Sequence, residues 1–297
     1  MKTITIRLTT SEGVTIMNPI KLRKALETFL IEDIGDQDLT SDSIFPREQL
    51  GTGLFIVKEA GVLSGLSIIK ETYHLLDSEV EVELHFNDGD KIEKQTVIAK
   101  VYGSVRSILS GERVILNLLQ RMSGIATMTN HCAEALNDPS ISICDTRKTM
   151  PGLRMFDKYA VTSGGGKNHR NGLYDGVMIK DNHISYCGSI TQAVEKARAA
   201  LGHMIKIEVE TENKSEVLEA VDAEADVIMF DNRSPEEVKE FVDLVPASIV
   251  TEASGGITLA NLATYANTGV QYISLGALTH SVQALDISLQ VNKGSKK

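Results

Sequence analysis

Apolar positions give the first outline of this chain. Over residues 18–32, Ile20, Leu22, Leu26, Phe29 and Leu30 recur at near-helical spacing, which predicts an amphipathic helix. From 51 to 103 the pattern shortens to β-like runs: LFIV at 54–57, VEVELHF at 80–86 and TVIAKVYG at 96–103. Glycines and the turn signal NDGD at 87–90 punctuate them. Residues 106–129 then read as one long helix, with Ser123-Gly124 the place where it could be interrupted.

Past residue 141 the rhythm changes. Strand-like apolar runs fall at 141–144, 176–179, 205–209, 226–230, 248–251 and 271–275, with a short further strand expected at 160–162. Helical patterns at 190–201, 215–223, 235–245 and 259–266 separate the later ones. The third helix has a clear start, with Ser234 as N-cap, Pro235 in the first turn and Glu237 three positions beyond the cap. Buried parallel strands alternating with helices predict a β/α sheet or barrel. Polar or very small residues close each run: Asp145, Arg147 and Lys148; Lys180, Asp181 and Asn182; Glu210; Asp231 and Asn232; Ser254, Gly255 and Gly256; Gly276. In such barrels the C-terminal strand ends share the face where ligands bind, so the pattern locates a site before any ligand is known.

Charge sharpens that picture. The chain carries a net charge of -10, yet residues 145–184 hold seven cations: Arg147, Lys148, Arg154, Lys158, Lys167, Arg170 and Lys180. A local basic cluster in an acidic protein points to a small anionic ligand, and the overall balance argues against nucleic acid as a partner. With 297 residues, 42% hydrophobic, the chain can form one large domain or two smaller ones. Cys132, Cys144 and Cys187 are odd in number and lack metal-ligand spacing, so they read as reduced thiols of a cytoplasmic protein. Residues 1–16 resemble neither a signal peptide nor a membrane span. They read as an extra strand, a disordered leader or a consequence of start-site choice, since Met17 could also begin the chain.

Among the cations, Arg147, Lys148, Arg170 and Lys180 stand at or just past strand ends, with His169 beside Arg170. Any one alone would read as a solvated charge or structural ion pair; four at one rim suggest a cup for carboxylates or phosphates. Arg154 and Lys158 fall in a helical turn and take the structural reading. Gly164-Gly165-Gly166 could bring backbone amides close to an anion or be a plain flexible turn. Ser254-Gly255-Gly256 and Gly276 match late barrel loops that bind phosphate through amides. Glu210 and Asp231 end adjacent strands and could bind Mg²⁺ with a diphosphate. Glu208, on the same strand face as Glu210, could replace it or pair with a buried cation. His183 caps the following turn or takes part in catalysis. No Ser-His-Asp order, zinc spacing or dinucleotide fingerprint is visible.

From about residue 18 onward the chain resembles the quinolinate phosphoribosyltransferase family. The resemblance is carried by LIEDIGDQDLTSD at 30–42, GERVILNLLQRMSGIAT at 111–127, DTRKTMPGLR at 145–154 and GGGKNHRNGLYDGVMIKDNHI at 164–184. IEVE at 207–210, MFDN at 229–232, EASGGIT at 252–258 and ISLGALT at 273–279 continue it in family order. It implies an α/β fold in two domains: an α/β sandwich from 17–116 with 285–297, and an incomplete β/α barrel of about seven strands over 117–284. Residues 1–16 lie outside it.

The implied reaction joins quinolinate to phosphoribosyl pyrophosphate with Mg²⁺, giving nicotinate mononucleotide, pyrophosphate and carbon dioxide for NAD biosynthesis. The implied assembly is a head-to-tail homodimer with shared sites. Carried over by motif, Arg147, His169 and Arg170 hold the quinolinate carboxylates, with Lys148 and Lys180 close to both substrates. Arg113 reaches in from the neighbouring subunit. Glu210 and Asp231 face the ribose hydroxyls and Mg²⁺, and Ser254, Gly255 and Gly276 sit at the phosphate end. Thr162-Ser163 departs from the basic residue many relatives carry, and Lys167 stands at a variable position. Three other readings compete: a relative encoded with molybdate transport genes, a Schiff-base lyase or aldolase using Lys148 or Lys180, and a non-catalytic metabolite-binding module.

Overall fold

The computed structural model describes residues 17–292, so the readings of residues 1–16 lie outside the described residues. The chain divides into two units, one running to Ala126 and resuming at Ala284, the other spanning Thr127–Gln283.

The first unit opens with α1 (Pro19–Ile34), where the Asn18 side chain accepts from the Ile20 and Lys21 amides at 3.0 and 3.1 Å. Leu22, Leu26 and Leu30 form its buried stripe, whereas Ile20 is exposed. Next come α2 (Leu39–Ile44), β1 (Leu50–Val57), β2 (Gly61–Val62), α3 (Leu66–Leu76), β3 (Glu81–Leu84), β4 (Lys91–Ile92), β5 (Val97–Ser104) and α4 (Val105–Leu136), which runs on into the second unit from Thr127. Ser123 and Gly124 do not interrupt α4. The buried Ser123 hydroxyl accepts from the Ser64 amide at 3.1 Å, and Met122 and Ile125 are fully buried beside it. That packing outweighs the roughly 1 kcal/mol helix penalty of one glycine.

In the second unit β6 (Ser142–Cys144), α5 (Arg154–Ser163), β7 (Val177–Ile179), α6 (Asp181–Cys187), α7 (Ile190–Ala200) and β8 (Ile207–Thr211) come first. They are followed by α8 (Lys214–Asp222), β9 (Val227–Asp231), α9 (Pro235–Val242), β10 (Val250–Ser254), β11 (Tyr272–Ser274) and α10 (Ala277–His280). The last strand, β12 (Ile287–Asn292), returns to the first unit. There it completes an antiparallel sheet in the order β12-β1-β5-β3. Phe55, Ile69, Tyr73, Ile98, Ile115 and Leu119 lie in the core between this sheet and the helices α3 and α4, giving the expected α/β sandwich.

The second unit's sheet is parallel, in the order β6-β11-β10-β9-β8-β7. A single parallel bridge between Cys144 and Lys167 adds a seventh position beside β6. This is the incomplete barrel, in which each strand sends alternate side chains outward and inward. Ile207, Val209, Ile228 and Phe230 are buried on the helical side, with Phe230 edge-on to Phe241 of α9 at 5.6 Å. Glu208, Glu210, Met229 and Asp231 alternate with them in sequence, and Glu252 and Ser254 of β10 pair with Met229 and Asp231. The Ser234 cap of α9 forms as predicted, its hydroxyl accepting from Glu237 while Glu237 accepts from the Ser234 amide.

Two expected elements differ. Residues 160–162 belong to α5, where Phe156, Ala160 and Val161 are buried at helical spacing that a three-residue run cannot reveal. Residues 259–266 form only a 3₁₀ turn, Leu262–Tyr265. There the Asn261 side chain accepts from Thr258 N at 2.7 Å and donates to Gly256 O at 3.1 Å, a local alternative to helix.

Candidate active site

The inward row opens into a cavity of about 550 Å³ at the C-terminal strand ends of the second unit. Arg147 and Lys148 follow β6, Lys180 follows β7, and Arg170 stands on the segment before β7; all four cations line it. So do His169, Glu210, Asp231, Ser254 and Gly255. Gly276 is not in the wall, but a Cβ there would come 2.8 Å from Lys148 Cδ, so its bareness makes room for that lysine. Arg113 is exposed on α4, in the first unit, and is not among the lining residues. A smaller cavity of about 280 Å³ shares Lys180, Glu210 and Asp231 and adds Asp181, Glu212 and Glu216.

Local bonds hold these groups. Lys180 Nζ donates to Glu210 Oε2 at 2.5 Å, so part of its charge is already balanced. The Thr279 hydroxyl donates to the Lys148 carbonyl at 2.9 Å. Arg170 Nη1 donates to the Gly176 carbonyl at 3.0 Å. Burial, then the neighbouring charge of Arg147, lowers the basicity of Arg170, with Glu208 and Asp175 opposing. Two guanidinium groups held in mutual repulsion favour an anion between them. At the opposite wall Gly255 has φ +82, and a Cβ would fall 2.4 Å from Asn232 Oδ1. Asn232, itself left-handed at φ 55, donates its amide to the Ser254 carbonyl at 2.8 Å, fixing the loop after β10 against the end of β9.

Beneath the cations lies a buried network. Asp145 accepts from Lys158, from the Asn168 side chain and, at 2.9 Å, from the His169 amide. Burial raises its carboxyl above the usual range, while Lys158 pulls it back down. Lys158 Nζ also donates to the His169 carbonyl at 2.9 Å, so residue 169 is held at both its amide and its carbonyl. Both ring nitrogens of His169 are engaged as well. Nδ1 accepts from the Arg170 amide at 2.7 Å, and Nε2 lies 2.9 Å from Glu208 Oε2 and 3.7 Å from Glu252 Oε1. Burial pulls the imidazole down, but Glu208 and Glu252 together leave it raised. Burial and the charge of Glu208 push Glu252 up to about 7. The ligand atoms of His169, Glu208 and Glu252 lie within 4.8 Å of one another, a donor set that could hold a divalent cation.

Three open sequence readings are decided here. Gly164, Gly165 and Gly166 donate their amides to the Ala160, Thr162 and Val161 carbonyls, so none is left for an anion, and the triplet closes α5 instead. Glu208 faces His169 rather than replacing Glu210. His183 takes the capping role, its Nδ1 accepting from the Lys180 amide at 3.0 Å. Sequence reasoning passed over Glu252, although a carboxylate in the middle of an apolar strand, two residues before Ser254, was a visible signal. It also passed over the support given by Asp145 and Asn168, whose partners lie on separate elements.

A family model described as the C-terminal domain of quinolinate phosphoribosyl transferase matches residues 125–290, and one described as its N-terminal domain matches residues 38–123. The chain belongs to the quinolinate phosphoribosyltransferase family. It is 58% identical over 275 residues to the probable nicotinate-nucleotide pyrophosphorylase (carboxylating) of Bacillus subtilis, covering 93% of this chain and 95% of that one. The crystal structure of NadC from Streptococcus pyogenes superposes with a TM-score of 0.90 at 40% identity, over 94% of this chain and 99% of that one. The nicotinate-nucleotide pyrophosphorylase of Francisella tularensis gives 0.88 at 35% identity, over 95% and 100%. These full-length matches cover both units, sandwich and incomplete barrel alike.

Proposed function

We propose that this member of the family transfers the phosphoribosyl group of phosphoribosyl pyrophosphate to quinolinate and releases carbon dioxide. Nicotinate mononucleotide and pyrophosphate are the other products, and the step serves NAD biosynthesis. The observation that carries the assignment is one cavity holding four cations, two carboxylates and the Ser254-Gly255-Gly256 loop after β10. A simple anion binder gains nothing from Glu210 and Asp231, and a Schiff-base enzyme does not need paired arginines.

The chemistry follows from charge. Arg147 and Arg170 take the two quinolinate carboxylates, with His169 at the same end holding Arg170 through its amide. Lys148 and Lys180 lie between the substrates. Ser254 and Gly255 form the phosphate end, and Gly276 makes room there for Lys148. As pyrophosphate leaves, positive charge grows on the ribose carbon, and Glu210 and Asp231 stabilise it. The ring nitrogen attacks that carbon; the C2–carboxylate bond of the resulting pyridinium then breaks, carbon dioxide leaves, and the electron pair left on C2, stabilised by the adjacent positive nitrogen, takes a proton from water to give nicotinate mononucleotide. Lys148 and Lys180 offset the charge of the departing groups. No covalent enzyme intermediate is required.

Mg²⁺ fits the same wall. Glu210 and Asp231 are partly buried hard-oxygen donors bordering open cavity, and Mg²⁺ is commonly held by one or two carboxylates plus phosphates while keeping several waters. When bound, it neutralises the pyrophosphate. The buried His169–Glu208–Glu252 set suits Mg²⁺ less, because one of its three donors is an imidazole nitrogen. The chain works as a cytoplasmic homodimer, with Arg113 completing the partner's site. Its three free thiols fit a reducing compartment, and among the described residues no helix is long and apolar enough to cross a membrane. Incubating purified protein with phosphoribosyl pyrophosphate, Mg²⁺ and either quinolinate or nicotinate tests the assignment. Turnover of quinolinate is expected; preference for nicotinate would overturn it.

A further inference from the structure

Glu208 and Glu252 stand on β8 and β10, the strands flanking β9, below the cavity floor. They are 5% and 4% exposed, and Oε1 of each has no hydrogen-bond partner. Burying two carboxylates costs stability, and apolar residues of similar volume usually serve a core as well or better. What they face is His169, whose Nδ1 accepts the Arg170 amide at 2.7 Å. That bond requires a bare Nδ1, so the ring's proton must sit on Nε2, where it needs an acceptor. Glu208 Oε2 supplies one at 2.9 Å, and Glu252 Oε1 stands behind it at 3.7 Å. Without an acceptor, the proton would move to Nδ1 and set two N–H donors against each other. Arg170 would then keep only its guanidinium anchor, the Gly176 carbonyl.

We infer that Glu208, backed by Glu252, is a positioning residue: it fixes the His169 tautomer and thereby aims Arg170 at the anion. It touches no substrate. The consequence for quinolinate rests on the function proposed above, whereas the tautomer does not, so the two are tested by separate readouts.

The test uses full-length protein labelled with ¹⁵N-histidine, and long-range ¹H–¹⁵N spectra at pH 8 to read the His169 ring. Wild type is expected to carry its proton on Nε2. Glu208→Gln keeps an acceptor and should keep that tautomer, while Glu208→Leu should lose it. In steady-state kinetics Glu208→Leu is expected to raise the quinolinate KM by about tenfold or more, the size of one lost buried hydrogen bond, and to leave the KM for phosphoribosyl pyrophosphate within about twofold. Glu208→Gln should restore most of the quinolinate KM. If Glu208→Leu fails to fold, the wild-type spectrum still decides: a proton on Nδ1, or an Nε2 bound to metal, overturns the inference. Equal rises in both KM values would also overturn it. Wild type that does not turn over quinolinate but shows the Nε2–H tautomer would reject the proposed function and leave the positioning role standing.

Discussion

Arg170 carries more of the site's geometry than any other residue. His169 holds its amide, Gly176 holds its guanidinium, and burial together with the charge of Arg147 lowers its basicity. Replacing it with alanine should raise the quinolinate KM by about a hundredfold, since charge-assisted bonds contribute roughly 1.5–3 kcal/mol each. Circular dichroism should show the fold retained; an unchanged KM would remove Arg170 from the site. Glu252 allows a test by pH. Its carboxyl rises from 4.5 to about 7 on folding, so the folded chain keeps a proton that the unfolded chain has already lost across that window. Stability tied to this proton is present below pH 4.5 and lost as pH rises through about 7. Glu252→Gln removes the ionisable group. Its thermal midpoint should exceed that of wild type at pH 8, by on the order of 1–3 kcal/mol in stability, and the gain should vanish near the lower end of the window. A gain independent of pH would contradict the buried acid.

Strands of the second unit were legible from sequence because parallel strands buried on both faces read as short apolar runs with polar ends. Glu210 and Asp231 could be placed at the rim for the same reason. Shorter elements were not: α2, α6 and α10 have too few turns to show a period, and residues 160–162 looked like a strand only because three residues cannot distinguish a 2.0 from a 3.6 repeat. The glycine triplet misled for a different reason. Composition advertises free amides, but Gly164, Gly165 and Gly166 spend theirs on the last turn of α5, a cost visible only in three dimensions. Likewise the partners of the His169 ring, 1 and 39 residues away along the chain, cannot be read from its place beside Arg170.

For the molecule as a whole, the two units bring different things. The barrel unit holds every lining residue of the cavity, and the sandwich unit carries Arg113 on the exposed side of α4. If that arginine completes a neighbouring copy's site, mixing inactive Arg113→Ala and Arg170→Ala proteins should recover up to about a quarter of wild-type activity. The estimate comes from random pairing, with half the dimers mixed and one of their two sites intact. No recovery despite confirmed subunit exchange would contradict the shared site. One cavity that couples phosphoribosyl transfer to decarboxylation must release its products together. The most direct test follows quinolinate labelled at the 2-carboxylate, with phosphoribosyl pyrophosphate and Mg²⁺, counting labelled carbon dioxide, pyrophosphate and nicotinate mononucleotide together. Equal amounts of all three are predicted; pyrophosphate released without carbon dioxide, or label retained in the nucleotide, would contradict the account.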